Sequence, residues 1–465
     1  MNENLKIHFI VDMDEQSSNF APHLGVGYLS AFLKQKIPGI KISLSLMSDD
    51  LLKDINTINP DIVGFSCTSR YFLQFSSLAQ EISAQFSIPI IWGGVHISIA
   101  PHELPVAASI GVLGEGELTV FELLENFNGS GFENIHSIQG IVFRNVGKLI
   151  VNEKRPYIEN LDHVPKPDLD LLRVAWNRRN RAVMTTSRGC PYKCRFCASS
   201  TFWDRTRLFS AEYVVSEMRS LVEKYDVREI LLFDDFFAIN KQRVAKIIEL
   251  KRTVPNLAKI RFECLSRVDS FSEEMAQLLK ELGVYRISFG IESGCQKTLD
   301  YLKNKKVKLS QVVDAVSLAK RYGFQCVGSF VIGSPYETEV DIRETFDFIN
   351  RLKLTSAQIT IATPFPGTEM WEDGKKIGKV RDNQWSDEYY VLFGFDADLN
   401  FRELLKGKSL LTQIEPEIFL SLLEEAKNIL LKVNISYKQK LRKIVRNLII
   451  NTGMGFVLSS KKHST

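Results

Sequence analysis

Cys190, Cys194 and Cys197 stand in the run Ser187-Arg-Gly-Cys-Pro-Tyr-Lys-Cys-Arg-Phe-Cys, a C-x3-C-x2-C spacing with no fourth cysteine nearby. Three thiolates can hold three irons of a cubane 4Fe–4S cluster and leave the fourth iron open to a ligand that is not protein. An open iron that can bind and reduce a small molecule is a catalytic arrangement, whereas a fully ligated cluster only stores or passes electrons. Gly189 and Pro191 permit the tight turns that wrapping one loop around a cluster requires. A structural zinc site would want four ligands, usually in paired C-x2-C units. His163 alone supplies a further His or Cys within thirty residues on either side. Seven cysteines, an odd number thinly spread behind no signal peptide, argue against disulfides and for a reducing cytoplasm.

The elements that must position this loop can be read from the hydrophobic pattern. At 465 residues the chain is long enough for two or three domains, and 45% hydrophobic with 25% charged residues is ordinary for a globular protein. A net charge of +4 is too small to argue for nucleic acid, and no apolar run is long enough to span a membrane. Over residues 1–148, apolar runs at Leu5–Val11, Ile40–Leu46, Ile62–Ser66, Ile88–Trp92 and Ile110–Val112 alternate with helical spacing at Val26–Gln35, Ser48–Ile55 and Tyr71–Phe86. This α/β alternation predicts a doubly wound parallel sheet with its ligand beyond the carboxyl ends of the strands. Three loops there are rich in small residues: Ser66–Arg70, Gly93–His96 and Gly114–Glu117.

Residues 149–180 read as a linker, because Pro165 and Pro167 disfavour regular structure. Over 181–385 strand, loop and helix repeat, with strand ends at the cysteine loop, Asp234-Asp235, Ser266-Arg267, Glu292, Gly333 and Thr363-Pro-Phe-Pro-Gly-Thr368. Six β/α units predict a partial barrel, open on one side, with its chemistry at the carboxyl ends of the strands. Residues 386–465 form a helical, basic C-terminal region. From Lys432 to Lys462 it carries eight Lys or Arg and no Asp or Glu. Its apolar positions (Leu441, Ile444, Val445, Leu448) interleave with Lys440, Arg442, Lys443 and Arg446, a pattern that suits either docking on the barrel or contact with an anionic membrane.

The cysteine run resembles the signature of radical S-adenosylmethionine (SAM) enzymes. The order Pro22-His-Leu-Gly-Val-Gly, Asp61-Ile-Val-Gly-Phe-Ser, Trp92-Gly-Gly-Val-His and Gly114-Glu-Gly-Glu resembles the cobalamin-binding domain of one radical SAM subclass. The layout is also similar to that of the anaerobic magnesium-protoporphyrin ester cyclases. D-x-H-x-x-G is missing, so this resemblance implies cobalamin without a lower-axial histidine from that motif.

The likeness implies Cys190, Cys194 and Cys197 as iron ligands. It implies Phe196, Asp234, Asp235, Arg267, Glu292 and Gly333 as SAM contacts, with Ser266 and the Pro364-Phe-Pro-Gly turn beside them. One of the two aspartates is also read as a helix cap. Thr68, Ser69, Arg70, Gly93, Gly94, His96, Gly114, Glu115 and Gly116 are the implied cobalamin contacts. His23 and His96 read more readily as hydrogen-bonding spacers than as cobalt ligands, and Cys67 as a small buried residue.

The chemistry implied is reductive cleavage of SAM to methionine and a 5′-deoxyadenosyl radical, followed by methylation of an unactivated carbon. Oxidative cyclisation or rearrangement of a lipid, tetrapyrrole or natural product is the alternative. Methylthiolation of tRNA fits less well, because that group carries three N-terminal cysteines and Cys67 stands alone here. A binding protein with a vestigial cluster is argued against by the intact set of strand-end residues. The expected partners are a small-molecule or lipid substrate and an electron donor such as flavodoxin or ferredoxin, with no nucleic acid. The expected location is cytoplasmic, with the basic C-terminal region as a candidate peripheral membrane contact.

Overall fold

The computed structural model describes residues 4–12, 23–47, 50–172, 180–381, 384–390 and 400–451, with side chains of the last helix described as far as Asn434. The first unit begins β1 (Lys6–Val11), α1 (Leu24–Lys36), β2 (Lys41–Leu46), α2 (Leu51–Ile58), β3 (Ile62–Ser66) and α3 (Phe72–Gln85). It continues with β4 (Ile90–Gly93), α4 (Val95–Ile99), β5 (Ile110–Val112), α5 (Gly116–Glu125), β6 (Ile141–Asn145) and β7 (Lys148–Val151). The sheet order is β2-β1-β3-β4-β5-β6-β7, parallel from β2 through β5 and antiparallel at β6 and β7. Reversal of strand order between β1 and β3 makes the topological switch point at which doubly wound sheets bind ligands.

The expected strands are all present, and the sequence reading missed the β6–β7 hairpin. That hairpin carries the first unit to Val151 rather than 148. The segment read as a linker holds a short helix, α6 (Leu169–Leu172), and is bonded to α1: Asp168 accepts from Ser30 Oγ at 2.7 Å and Lys34 Nζ at 2.6 Å.

The second unit starts with β8 (Arg181–Met184), β9 (Ser187–Arg188), α7 (Ser199–Phe202), β10 (Arg207–Leu208), α8 (Ala211–Tyr225), β11 (Glu229–Leu232) and α9 (Lys241–Arg252). There follow β12 (Arg261–Ser266), α10 (Glu273–Leu282), β13 (Val284–Glu292), α11 (Gln296–Leu302), α12 (Leu309–Arg321) and β14 (Gln325–Ile332). It ends with α13 (Glu339–Leu352), β15 (Ser356–Ile361) and α14 (Glu369–Lys376). Six strands pair in the order β15-β14-β13-β12-β11-β8, every neighbour parallel, with β9 and β10 forming a separate ribbon. This is the expected partial barrel. Its helices start on capping side chains: Ser210, Asn240, Ser272, Thr338 and Thr368 each accept from the backbone three residues on. The expected cap at Ser272 is therefore present, whereas α9 is capped by Asn240 and not by Asp234 or Asp235.

After α15 (Phe401–Leu404), α16 (Pro416–Asn451) lies along β15. Asn434 Oδ1 accepts from Ser356 Oγ at 2.7 Å and from Ala357 N at 3.3 Å, so a side-chain amide occupies the open edge of the sheet. Phe419, fully buried, closes over Gly333. The side chains of 440–450, on which the membrane-contact expectation rests, lie outside the described residues. Among those described, no helix is long and apolar enough to cross a membrane.

Candidate functional site at the junction of two parallel sheets

The carboxyl ends of the first sheet and of β8 and β11 in the second face one cavity of about 410 Å³. Strands β1, β3, β4 and β5, with α1 and α5, line its apolar depth through Phe9, Val26, Leu29, Ile62, Ile91 and Val120. Its mouth is formed by Arg188 and Gly189 at the start of the cysteine loop, by Phe202 and Trp203, and by Phe233 and Asp235 beyond β11. Of the implied cobalamin contacts, Gly93, Gly94, Gly114, Glu115 and Gly116 line this space. A Cβ added at Gly25, also on the wall, would meet no protein atom within 4 Å. Gly94 has φ +104°, and a Cβ there would sit 2.6 Å from Cys67 N, so the tight β4–α4 turn admits only glycine.

The other implied contacts lie off the cavity. Thr68 is exposed. Ser69 is buried and bonded to His96 Nδ1 at 2.9 Å. Arg70 lies over the rings of Tyr71 and Tyr390, at 4.8 and 5.5 Å. His96 is fully buried in α4, its Nε2 3.4 Å from Glu103 Oε2 and its ring 4.0 Å from that of Phe72. It is an internal spacer with no path to a ligand in the cavity. His23 likewise bonds Asp12 O at 2.9 Å.

Glu115 belongs to a network that spans the two units. Arg188 Nη1 donates to Glu115 and its Nη2 to Glu117 Oε1 at 2.7 Å, while Arg207 Nη1 donates to Glu115 Oε2 at 2.9 Å. All four side chains are buried or nearly so. Burial works against the Glu115 carboxylate, yet Arg188 and Arg207 hold its pKa below the ordinary value. The Arg207 guanidinium also covers the rings of Tyr157 and Trp203, at 4.8 and 5.2 Å. Two acids from the β5–α5 turn thus anchor the β9–β10 ribbon that begins the cysteine loop.

All three loop cysteines are half-buried free thiols, and the remaining four (Cys67, Cys264, Cys295 and Cys326) are buried elsewhere. Burial raises the pKa of Cys190 and pushes Cys197 up to about 11. Among the described residues no three ligating groups gather around a single ion. The loop is braced internally by Cys197 N donating to Cys194 O at 3.0 Å.

The strand-end residues are placed around this loop, most of them already engaged. Asp234 is buried and accepts from Thr186 N (2.7 Å), Thr186 Oγ1 (2.9 Å) and Ser187 Oγ (2.6 Å), a brace for the β8–β9 connection. Asp235 accepts from Ser199 Oγ at 2.6 Å, and burial raises its pKa. Arg267 is bidentate to Asp269 at 2.8 and 3.0 Å, lies 3.6 Å from the Tyr192 ring and donates to Cys194 Sγ at 3.4 Å. Glu292 has φ +71°, costly for a non-glycine residue, and pairs with buried Lys303 at 2.9 Å. Gly333, at φ +78°, donates its N–H to Glu337 Oε2 at 2.7 Å. Phe196 packs with a buried apolar cluster that includes Leu302, Val331 and Trp371. The Pro364–Gly367 turn meets the far end of the cysteine loop, where Thr201 Oγ1 donates to Gly367 O at 3.2 Å.

Sequence reasoning missed Lys303, Asp269, Glu117 and Arg207 as parts of this site. Arg188 was visible within Ser-Arg-Gly-Cys but given no task, and Arg207 carried no local signal.

Comparison with known proteins agrees with this geometry. Residues 184–349 match the radical SAM superfamily, and residues 14–124 match the B12-binding domain. An uncharacterised methyltransferase of Pyrococcus horikoshii is 34% identical, the match covering 76% of this chain and 78% of that protein. This chain belongs to the radical SAM superfamily and carries a B12-binding domain. The family's cofactors are therefore its own: a 4Fe–4S cluster, SAM and cobalamin. The anaerobic magnesium-protoporphyrin IX monomethyl ester cyclase of Rubrivivax gelatinosus is 27% identical over 77% of this chain and 67% of that one. The fold matches that of the radical SAM methyltransferase TsrM from Kitasatospora setae, solved with cobalamin and a 4Fe–4S cluster. The TM-score is 0.67 at 19% identity, covering 81% of this chain and 79% of that one.

Proposed function

We propose that this chain is a cobalamin-dependent radical SAM methyltransferase that methylates an unactivated carbon of a small molecule. The observation that carries the reading is the single cavity onto which both the glycine-lined ends of the first sheet and the start of the cysteine loop open. When bound, the cluster supplies the electron that cleaves SAM, and cobalamin supplies the methyl group. Cys190, Cys194 and Cys197 hold the cluster in this reading, and the Gly25, Gly93 and Gly116 walls receive cobalamin.

The remaining residues orient and enclose. Arg188, Arg207, Glu115 and Glu117 fix the spacing of the two cofactor sites, and Phe202, Trp203 and Phe233 shut water from the mouth. Asp235, close to the loop and carrying a burial-raised pKa, offers a hydrogen-bonding group to SAM. Glu292, kept in place by Lys303, is suited to the ribose hydroxyls. The substrate must fit beside these aromatic rings, which favours an apolar or aromatic scaffold, a lipid included. The reaction needs an external one-electron donor and a reducing compartment.

Anaerobic purification with cobalamin supplied, followed by metal analysis, tests this. About four irons and about one cobalt per chain are expected. Incubation with SAM and reductant should then give S-adenosylhomocysteine and 5′-deoxyadenosine together. Iron without cobalt, or 5′-deoxyadenosine without S-adenosylhomocysteine, would favour cyclisation or rearrangement over methylation.

A further inference from the structure

The two stretches of the cysteine loop look onto different surroundings. Its start, Arg188 and Gly189, walls the cavity. Its middle lies against the turn that follows α11. Arg195 N donates to Leu302 O at 3.0 Å, Arg195 Nε donates to Tyr301 O at 3.3 Å, and Asn304 Nδ2 donates to Lys193 O. That turn reads Lys303-Asn-Lys-Lys-Val-Lys308. Asn304 and Lys305 both take left-handed backbone, at φ +53° and +58°. Two such non-glycine residues in a row are strained and persist only where their surroundings hold them. Here they turn Lys303 inward to Glu292 and leave Lys305 and Lys306 exposed.

Charge separates this patch from an ordinary solvated face. Neighbouring cations are paired: Arg195 with Asp373 and Glu369 at 3.0 Å, Lys376 with Asp373 at 3.0 Å, and Lys308 with Asp300 at 3.8 Å. Lys193, Lys305 and Lys306 are exposed and take no ion pair among the described residues. Three unmatched ammonium groups therefore lie on the surface here, one on the cysteine loop and two on a turn bonded to it. Their field reaches about a Debye length into solvent, roughly 8–10 Å.

The geometry points to this face as the docking surface for an acidic one-electron carrier protein, an assignment that rests on residues 190–197 being the cluster loop. One electron leaves the reduced carrier and enters the cluster, and no bond forms or breaks in that step. Delivery from this side leaves the cavity mouth free for SAM, cobalamin and substrate.

The test uses anaerobic holoenzyme and its Lys305→Glu/Lys306→Glu variant. Stopped-flow bleaching of the cluster absorbance is followed with two reductants: a reduced acidic flavodoxin, and photoreduced 5-deazariboflavin, which is small and uncharged. With flavodoxin the second-order rate should fall about tenfold or more, and its dependence on ionic strength should flatten. With deazariboflavin it should not change. Lys305→Gln/Lys306→Gln should fall between the variant and the wild type. An unchanged flavodoxin rate overturns the assignment, and so does an equal loss with both reductants, which would mean a damaged cluster. Wild-type protein that neither reductant bleaches would instead overturn the cluster reading itself.

Discussion

The carboxyl ends of the two parallel sheets are built on opposite plans, and of the second sheet only β8 and β11 end at the cavity. In the first sheet the ends are glycine turns that leave room: Gly25, Gly93, Gly94, Gly114 and Gly116 present backbone to the space. In the second they are charged side chains, each already satisfied by the protein. Asp234 is held by Thr186 and Ser187, Arg267 by Asp269, and Glu292 by Lys303. The difference teaches that backbone turns leave space open, whereas the charged strand ends are fixed beforehand by their own protein partners. Preorganised charges avoid reorganisation at the moment of reaction. Open space tolerates any side chain that does not fill it.

The largest effect should come from the cysteine loop, on which both plans depend. Cys194→Ala is expected to abolish 5′-deoxyadenosine formation and lower iron content, as read by product chromatography and iron analysis. Persistent SAM cleavage would break the comparison at its root. Next, Gly25→Phe should cost the protein its bound cobalt while leaving iron unchanged, because the new ring occupies space no protein atom uses. Equal loss of both metals would show that the first sheet is not a separate receptacle.

Lys303→Met tests the charged plan, since it leaves the Glu292 carboxylate buried without its cation. Removing one partner of a buried pair costs about 3–5 kcal/mol. The expected outcome is a lower melting temperature together with a KM for SAM raised about tenfold. Lys303→Arg should restore most of both. A melting change with no change in KM would reduce the pair to a structural role.

The smallest effect concerns Glu217, a buried acid on α8 away from the cavity mouth, with neither oxygen partnered. Burial pushes its pKa up to about 8 from 4.5. The folded chain therefore holds this proton more tightly than the unfolded chain does. Its influence on stability is most favourable below pH 4.5 and is lost as pH rises from 4.5 to about 8. Glu217→Gln should flatten that window and raise stability at pH 7 by roughly 3 kcal/mol, as measured by denaturant titration across pH. An unchanged pH profile would mean that the carboxyl is charged and partnered after all.

Much of this was legible in the residues, and what was not shares one physical cause. Strands such as Ile62–Ser66 and Gln325–Ile332 were readable because a buried parallel strand is a nearly unbroken apolar run. The hairpin at Ile141–Val151 was missed: β7, with pattern Lys-Leu-Ile-Val, is short and half exposed, so its apolar signal is weak. The Thr68–Arg70 and His96 assignments rested on the resemblance of the loops that carry them. Whether a residue near a strand end faces the cavity or the core depends on the local turn, and the β4–α4 turn at Gly94 sends His96 inward.

The sequence alone determined the donor set and the order of the parts. Three thiols within eight residues stand close together whatever the rest of the chain does, because their spacing is local, and apolar periodicity dictates where strands and helices form. Only tertiary structure decided which charges work together. Arg188 finds Glu115 and Glu117 across more than seventy positions, and Glu292 finds Lys303 through a left-handed turn of the backbone. Such pairs are chosen by how two sheets and their connections pack, and no local pattern of residue types records that choice.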